Sequence, residues 1–118
     1  MIIPDEIMAA ARVGDTQSVV RFLDEGGEVN AVDARGATML GESVLNSQVE
    51  LCRVLIARGA DVNAVNARGE SPLLVACYRF RGCVEAVALL LDHGADVNLE
   101  TPKGSTPLRS AALVGNLE

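Results

Sequence analysis

The sequence predicts an all-α repeat fold, a solenoid of stacked helix-turn-helix units joined by hairpin-like loops. Glu28-Val29-Asn30-Ala31 returns as Asp61-Val62-Asn63-Ala64 and again as Asp96-Val97-Asn98-Leu99, with 33 residues from Val29 to Val62 and 35 from Val62 to Val97. Self-similarity at a period of this size marks stacked units, the third of which carries a two-residue insertion. Gly36, Gly69 and Gly104 keep the same spacing. Hydrophobic residues make up 49% of the chain and aromatics only 3%, which suits thin helices packed closely through Ala, Val and Leu.

The elements follow in order. The first unit lacks an upstream hairpin and opens on Asp5 at the helix-capping position. Its first helix presents Ile7, Ala10 and Ala11 at i, i+3, i+4 spacing, and its second Val19, Phe22 and Leu23. In the second unit Thr38 caps a helix from Met39 to about Asn46 that buries Leu40, Ser43 and Val44. A helix from about Val49 to Ala57, with Cys52, Leu55 and Ile56, follows and is closed by Gly59-Ala60. Ser71 caps the third unit, where Pro72 holds the first helical position at no cost, because its missing N–H has no intrahelical partner. This unit buries Leu73, Ala76 and Cys77, then Val87, Leu90 and Leu91. Thr106-Pro107 opens a fourth, with Leu108, Ala111 and Ala112. One domain over 1–118 is expected, divided into 1–32 (an N-terminal cap), 33–65, 66–100 and an incomplete 101–118. Two explanations of that ending stay open, a fragment of a longer repeat protein or an absent last helix whose apolar surface is used for contact. Leu117-Glu118 is either native or a cloning remnant.

Gly-x-Ser-Pro-Leu at Gly69 to Leu73 and Gly-x-Thr-Pro-Leu at Gly104 to Leu108 lead into alanine-rich helical turns, and Leu90-Leu91-x-x-Gly94-Ala95 closes the third unit. In this combination the chain resembles the ankyrin repeat, from Asp5 to Glu118. The resemblance implies an ankyrin-repeat solenoid and a non-catalytic protein-protein interaction module, binding its partner on a concave face formed by hairpin tips and first helices. Carried onto this sequence, the contact positions are Arg35, Ala37, Leu45, Asn46, Arg68, Glu70, Tyr78, Arg79, Phe80, Arg81, Lys103 and Leu113.

Two features stand out among these positions. Arg35, Arg68 and Lys103 occupy the same place in successive hairpins, giving an acidic protein an aligned basic row. The row serves either solubility or contact with an acidic or phosphorylated partner segment. Tyr78-Arg79-Phe80-Arg81 contains the insertion and concentrates residue types that dominate binding hot spots; its rings either project for contact or fold back over a local gap. The second unit also departs from its neighbours. Met39 replaces the first-turn proline, Gly41 interrupts the helix, and Ser47 stands where the others have Gly14, Gly82 and Gly115, so a left-handed residue is expected at Ser47.

Other functions find little footing. A formal charge of −6 argues against nucleic acid and anionic membranes, which need a basic surface. No apolar run approaches the ~20 residues that span a bilayer, and the N-terminal stretch lacks the early basic residues of a secretory signal. Cys52, Cys77 and Cys83 form no metal-ligand spacing and are expected reduced, with Cys83 the most exposed. His93 lies in a turn, no nucleophile elbow or phosphate loop occurs, and Asp61 and Asp96 belong to a repeated turn. The expectation is therefore a cytoplasmic or otherwise intracellular protein without catalytic residues, metal or cofactor. Its partner is a protein or peptide, with an acidic segment as one candidate. It is a monomer, and weak self-association through the C-terminal face is the alternative.

Overall fold

A computed structural model of the chain describes residues 2–78, 84–104 and 106. Cys83, Gly82, Leu108, Ala111, Ala112, Gly115 and the rest of the fourth unit's helical expectations lie outside the described residues, as does the side chain of Tyr78. Among the described residues six helices form three pairs: α1 (Asp5–Val13) with α2 (Thr16–Asp24), α3 (Met39–Leu45) with α4 (Val49–Ala57), and α5 (Pro72–Tyr78) with α6 (Val84–Asp92). The first helices α1, α3 and α5 contact one another in order, as do the second helices α2, α4 and α6. The body measures 41 × 26 × 22 Å. Among the described residues β-pairing is confined to isolated bridges that join Ile2 to Val32 and Val32 to Thr38. Ile3 is buried beside them and donates its N–H to the Val32 carbonyl at 2.9 Å.

The helix starts follow from side-chain caps. Thr38 Oγ1 accepts the Gly41 N–H at 2.9 Å, and Ser71 Oγ accepts that of Leu74 at 3.1 Å. At α1 the structure corrects the expectation, because Pro4 is the cap residue and its carbonyl accepts the N–H groups of Ile7 and Met8 at 3.1 and 3.2 Å. Asp5 joins Glu6 in the first turn instead, where carboxylates favour the positive end of the helix. At α2, Asp15 takes the Ser18 hydroxyl at 2.7 Å and the Ser18 N–H at 3.3 Å. Those two bonds, the hydroxyl's first, hold the Asp15 carboxyl below the usual range.

One continuous core runs through the three pairs. It contains Met8, Ala10, Ala11 and Val19, then Leu40, Val44, Leu51, Cys52 and Leu55, then Leu73, Ala76, Cys77, Leu89 and Leu90. Ser43 lies fully buried among them and donates its hydroxyl to the Met39 carbonyl at 2.7 Å, which satisfies the one polar group that position brings in. Of the expected core residues that are described, Ile7, Phe22, Leu23, Ile56 and Val87 are only partly buried against the core, and Leu91 is exposed. Ile7 is only partly buried, its place deep in α1 being taken by Met8, because Ile7 faces the open side of the first pair together with Pro4, Val13 and Phe22. Leu91 is 45% exposed. It lies on the side of α6 opposite the buried Ala86, Leu89 and Leu90, and among the described residues no helix lies beyond α6.

The seams between units repeat one motif. Asn30 Oδ1 accepts the Asp61 N–H at 2.7 Å while its Nδ2 donates to the Gly59 carbonyl at 3.2 Å. One unit later, Asn63 Oδ1 accepts the Asp96 N–H at 2.7 Å and its Nδ2 reaches the Gly94 carbonyl at 3.3 Å. Each asparagine thus reads both the helix end and the turn of the next unit.

The turns after α1 and α3 are closed in the same way. The Asp15 N–H reaches Ala10 O at 2.9 Å across Gly14, and the Gln48 N–H reaches Ser43 O at 2.8 Å across Ser47. Both central residues have positive φ, +77° at Gly14 and +59° at Ser47, the latter being the non-glycine case among the described residues. A Cβ in that region crowds the carbonyl beside it, at a cost on the order of 1 kcal/mol. Ser47→Gly is expected to raise unfolding free energy by up to about 1 kcal/mol in denaturant titration, offset in part by the freer unfolded chain. Gly41→Ala removes a helical glycine worth about 1 kcal/mol, but its Cβ would stand 3.2 Å from the capping Thr38 Oγ1. The net gain there should be smaller than at Ser47.

Candidate functional site

The hairpins that follow α2 and α4 are built on one polar residue each. In the first, Asp33 donates its N–H to Ala37 O at 2.9 Å and accepts the Gly36 N–H at 3.0 Å, while its Oδ1 takes the N–H groups of Arg35 and Ala37 at 2.8 and 3.0 Å. In the second, Asn66 repeats the pattern: N–H to Glu70 O at 3.0 Å, Gly69 N–H to its carbonyl at 2.9 Å, and Oδ1 taking Arg68 and Glu70 at 2.9 and 3.0 Å. The third closes with the Gly104 N–H on Thr101 O at 2.8 Å. A carboxylate oxygen and a carboxamide oxygen serve the backbone equally well here.

Their second polar atoms differ. Asp33 Oδ2 lies 3.4 Å from Arg35 Nη2, whereas Asn66 Nδ2 donates to Glu70 Oε1 at 2.9 Å. Burial opposes the charge on Asp33, but the N–H groups of Ala37 and Arg35, then the Arg35 guanidinium, outweigh it and hold the carboxyl below its usual range. A further carboxylate enters from α3. Glu42 Oε1 meets Arg12 Nε of α1 at 2.6 Å and stands 4.0 Å from Arg35 Nη2. Arg35 therefore has two acidic neighbours.

Between these two hairpins and over α3 and α5 lies a groove of about 270 Å³. Ala37, Leu45, Ala64, Ala67, Pro72 and Val75 supply apolar lining, and Arg35, Glu42, Arg68 and Glu70 supply charge. The structure brings Arg35, Ala37, Leu45, Arg68 and Glu70 together here. Asn46 does not line the groove; it ends α3, and its Nδ2 donates to the Glu42 carbonyl at 2.8 Å. Lys103 is exposed on the third hairpin. Arg79, Phe80, Arg81 and Leu113 lie outside the described residues, as do Ser105 and Val114. Sequence reasoning missed Glu42, Asn66 and Val75 in the lining. Glu42 left a signal, being the charged residue at a place where the neighbouring units carry Ala9 and Val75.

Little elsewhere offers chemistry. Among the described residues no group of three or more His, Cys, Asp or Glu is placed to hold a metal ion. Cys52 and Cys77 are buried thiols in no disulfide, and burial pushes the Cys77 thiol up, away from the reactive thiolate. His93 Nδ1 lies 2.9 Å from the Leu89 carbonyl, a local contact at the end of α6. Among the described residues no helix is long and apolar enough to cross a membrane.

With the helix pairs and hairpins in place, comparison with protein families gives a consistent result. The family described as ankyrin repeats (3 copies) matches residues 7–101 and 46–118, and the chain belongs to the ankyrin-repeat family. Repeats of this family generally mediate protein-protein interaction and are generally non-catalytic. A comparison with curated proteins yields no match.

The Asp33 hairpin has a pH signature. A carboxyl whose folded pKa lies below its unfolded value, about 3.9, stabilises the fold above that value, and the contribution is lost as pH falls through the folded pKa. Asp33→Asn keeps the Oδ1 acceptor, as Asn66 shows, but gives up the charge. At neutral pH it should cost about 1 kcal/mol, and the difference from wild type should disappear at pH values below the folded pKa. Denaturant titrations at both pH values check this. Asp15 has the same sign, so the comparison with wild type isolates Asp33.

Proposed function

We propose that the chain is a protein-interaction module whose partner, a protein or peptide, lies along the groove between the Arg35 and Arg68 hairpins. The observation that carries this reading is the groove's make-up, an apolar lining set among charges of both signs. Interfaces need that combination, apolar contact for affinity and polar groups for register. At about 270 Å³ the groove falls below the ~300–1,000 Å³ of small-molecule sites, so it suits side chains of a polypeptide. Arg35, Ala37, Leu45, Arg68 and Glu70 make the first contacts, and Lys103 extends them to the next hairpin. Asn46, at the end of α3, is a further contact, and by their place in the sequence Tyr78, Arg79, Phe80, Arg81 and Leu113 complete the set. Buried reduced thiols at Cys52 and Cys77 fit a reducing, intracellular setting.

A second reading is favoured by one observation. Val84 is 80% exposed and Leu91 45% exposed on the outer side of α6, with the exposed Ala88 between them. A second copy would cover this stripe, so the reading requires self-association.

Peptides selected from a random display library separate the two. Ala67→Arg, which fills the groove from an exposed position, should weaken their binding at least about tenfold, equivalent to 1.4 kcal/mol, with the melting temperature unchanged. Ala57→Arg, exposed on α4, should leave binding intact. The reverse pattern moves the interface to the second helices. In sedimentation, a concentration-dependent dimer abolished by Leu91→Lys would establish the α6 reading, and a monomer throughout would end it.

A further inference from the structure

Arg35, Arg68 and Lys103 hold the same place in successive hairpins, but their electrostatic surroundings differ. Arg35 is 3.4 Å from Asp33 and 4.0 Å from Glu42, two carboxylates that are themselves 6% and 13% exposed. Its charge is answered within the fold. At Arg68 the residue in Asp33's place is Asn66, which carries no charge, and among the described residues Arg68 makes no ion pair. The nearby carboxylate of Glu70 accepts the Asn66 amide at 2.9 Å. Arg68 is exposed, and it lines the same groove as Ala64, Ala67 and Val75.

We infer that Arg68 is the receptor for a carboxylate side chain of the partner, an Asp or Glu whose apolar neighbour rests on the groove lining. This inference rests on the groove reading above. The guanidinium presents a planar fork of donors that matches the two oxygens of a carboxylate. The aliphatic part of Arg68 and the alanines beside it give that ion pair a partly dry setting. The contact acts at short range, because a chain of net charge −6 does not attract acidic partners from a distance and salt screens such fields beyond about 8–10 Å. Selectivity between the two arginines comes from two changes on a shared hairpin backbone, Asn66 in the place of Asp33 and Val75 in the place of Glu42.

The test pans a random peptide display library on the full chain. Enriched peptides are expected to share an Asp or Glu beside an apolar residue. For a synthetic peptide of that sequence, Arg68→Gln and the peptide's own acid-to-amide change should each weaken binding about tenfold. The two together should cost about tenfold, not a hundredfold, because both remove the same contact. Arg35→Gln should cost clearly less than Arg68→Gln, and Arg53→Gln, removing an equal charge from α4, should cost nothing. Asn66→Asp combined with Glu70→Ala rebuilds the first hairpin's chemistry around Arg68 and should weaken binding as much as Arg68→Gln does. Peptides that shift groove amides in NMR spectra but show no acidic preference, or losses that multiply, overturn the inference while leaving the groove reading standing. Tighter binding when phosphoserine replaces the acid also overturns it, by assigning the site to phosphate. Peptides that shift only α2, α4 and α6 defeat both.

Discussion

Among the described residues no helix is longer than nine residues, and helices of that length do not persist alone in water. Their persistence depends on packing between neighbouring units. Each pair buries one side against the pair before it and offers the other to the pair after it, so the core is a seam renewed at every step. Small residues make the seam narrow: Ala10, Ala11, Ser43, Ala76 and Cys77 sit where first helices approach one another. The asparagine bridges then fix how far each unit turns. Each ties the helix end and the following turn of one unit to a single carboxamide of the unit before it.

The groove is a product of that stacking. Hairpins repeated at a near-constant spacing set Arg35 and Arg68 side by side, with α3 and α5 beneath. Its electrostatics are more individual than its shape. The first hairpin and α3 together neutralise their arginine, while the second hairpin spends its carboxylate on a neighbouring amide. An acidic protein thus carries a local positive feature without a basic surface.

Much of this was legible in the sequence, for a physical reason. A repeated turn must reuse the same backbone hydrogen bonds, so the caps at Thr38 and Ser71 followed from position, and Ser47 betrayed its left-handed backbone by standing where other units use glycine. The chain's ends were harder to read, because a repeat argument assumes neighbours on both sides. Leu91 matches a buried position by register, yet it faces outward where no described helix covers it, and Ile7 is only partly buried against the core. Pro4 takes the cap in place of Asp5, its carbonyl accepting the Ile7 and Met8 N–H groups. In the groove, the row of basic residues was visible as spacing. Which of them is neutralised was not, since Glu42 reaches Arg35 from another element and only the folded chain brings them together.

The asparagine bridges also make the seams individually observable. The N–H groups of Asp61 and Asp96 belong to exposed residues, where amide protons ordinarily trade with solvent freely. Here each is held by a carboxamide from the preceding unit, so exchange waits on the breaking of that bond, which parting of the two units brings about. The two protons therefore act as separate clocks, one for the opening between the first and second pairs and one for that between the second and third. Their rates distinguish a solenoid that frays from one end from one that opens as a whole.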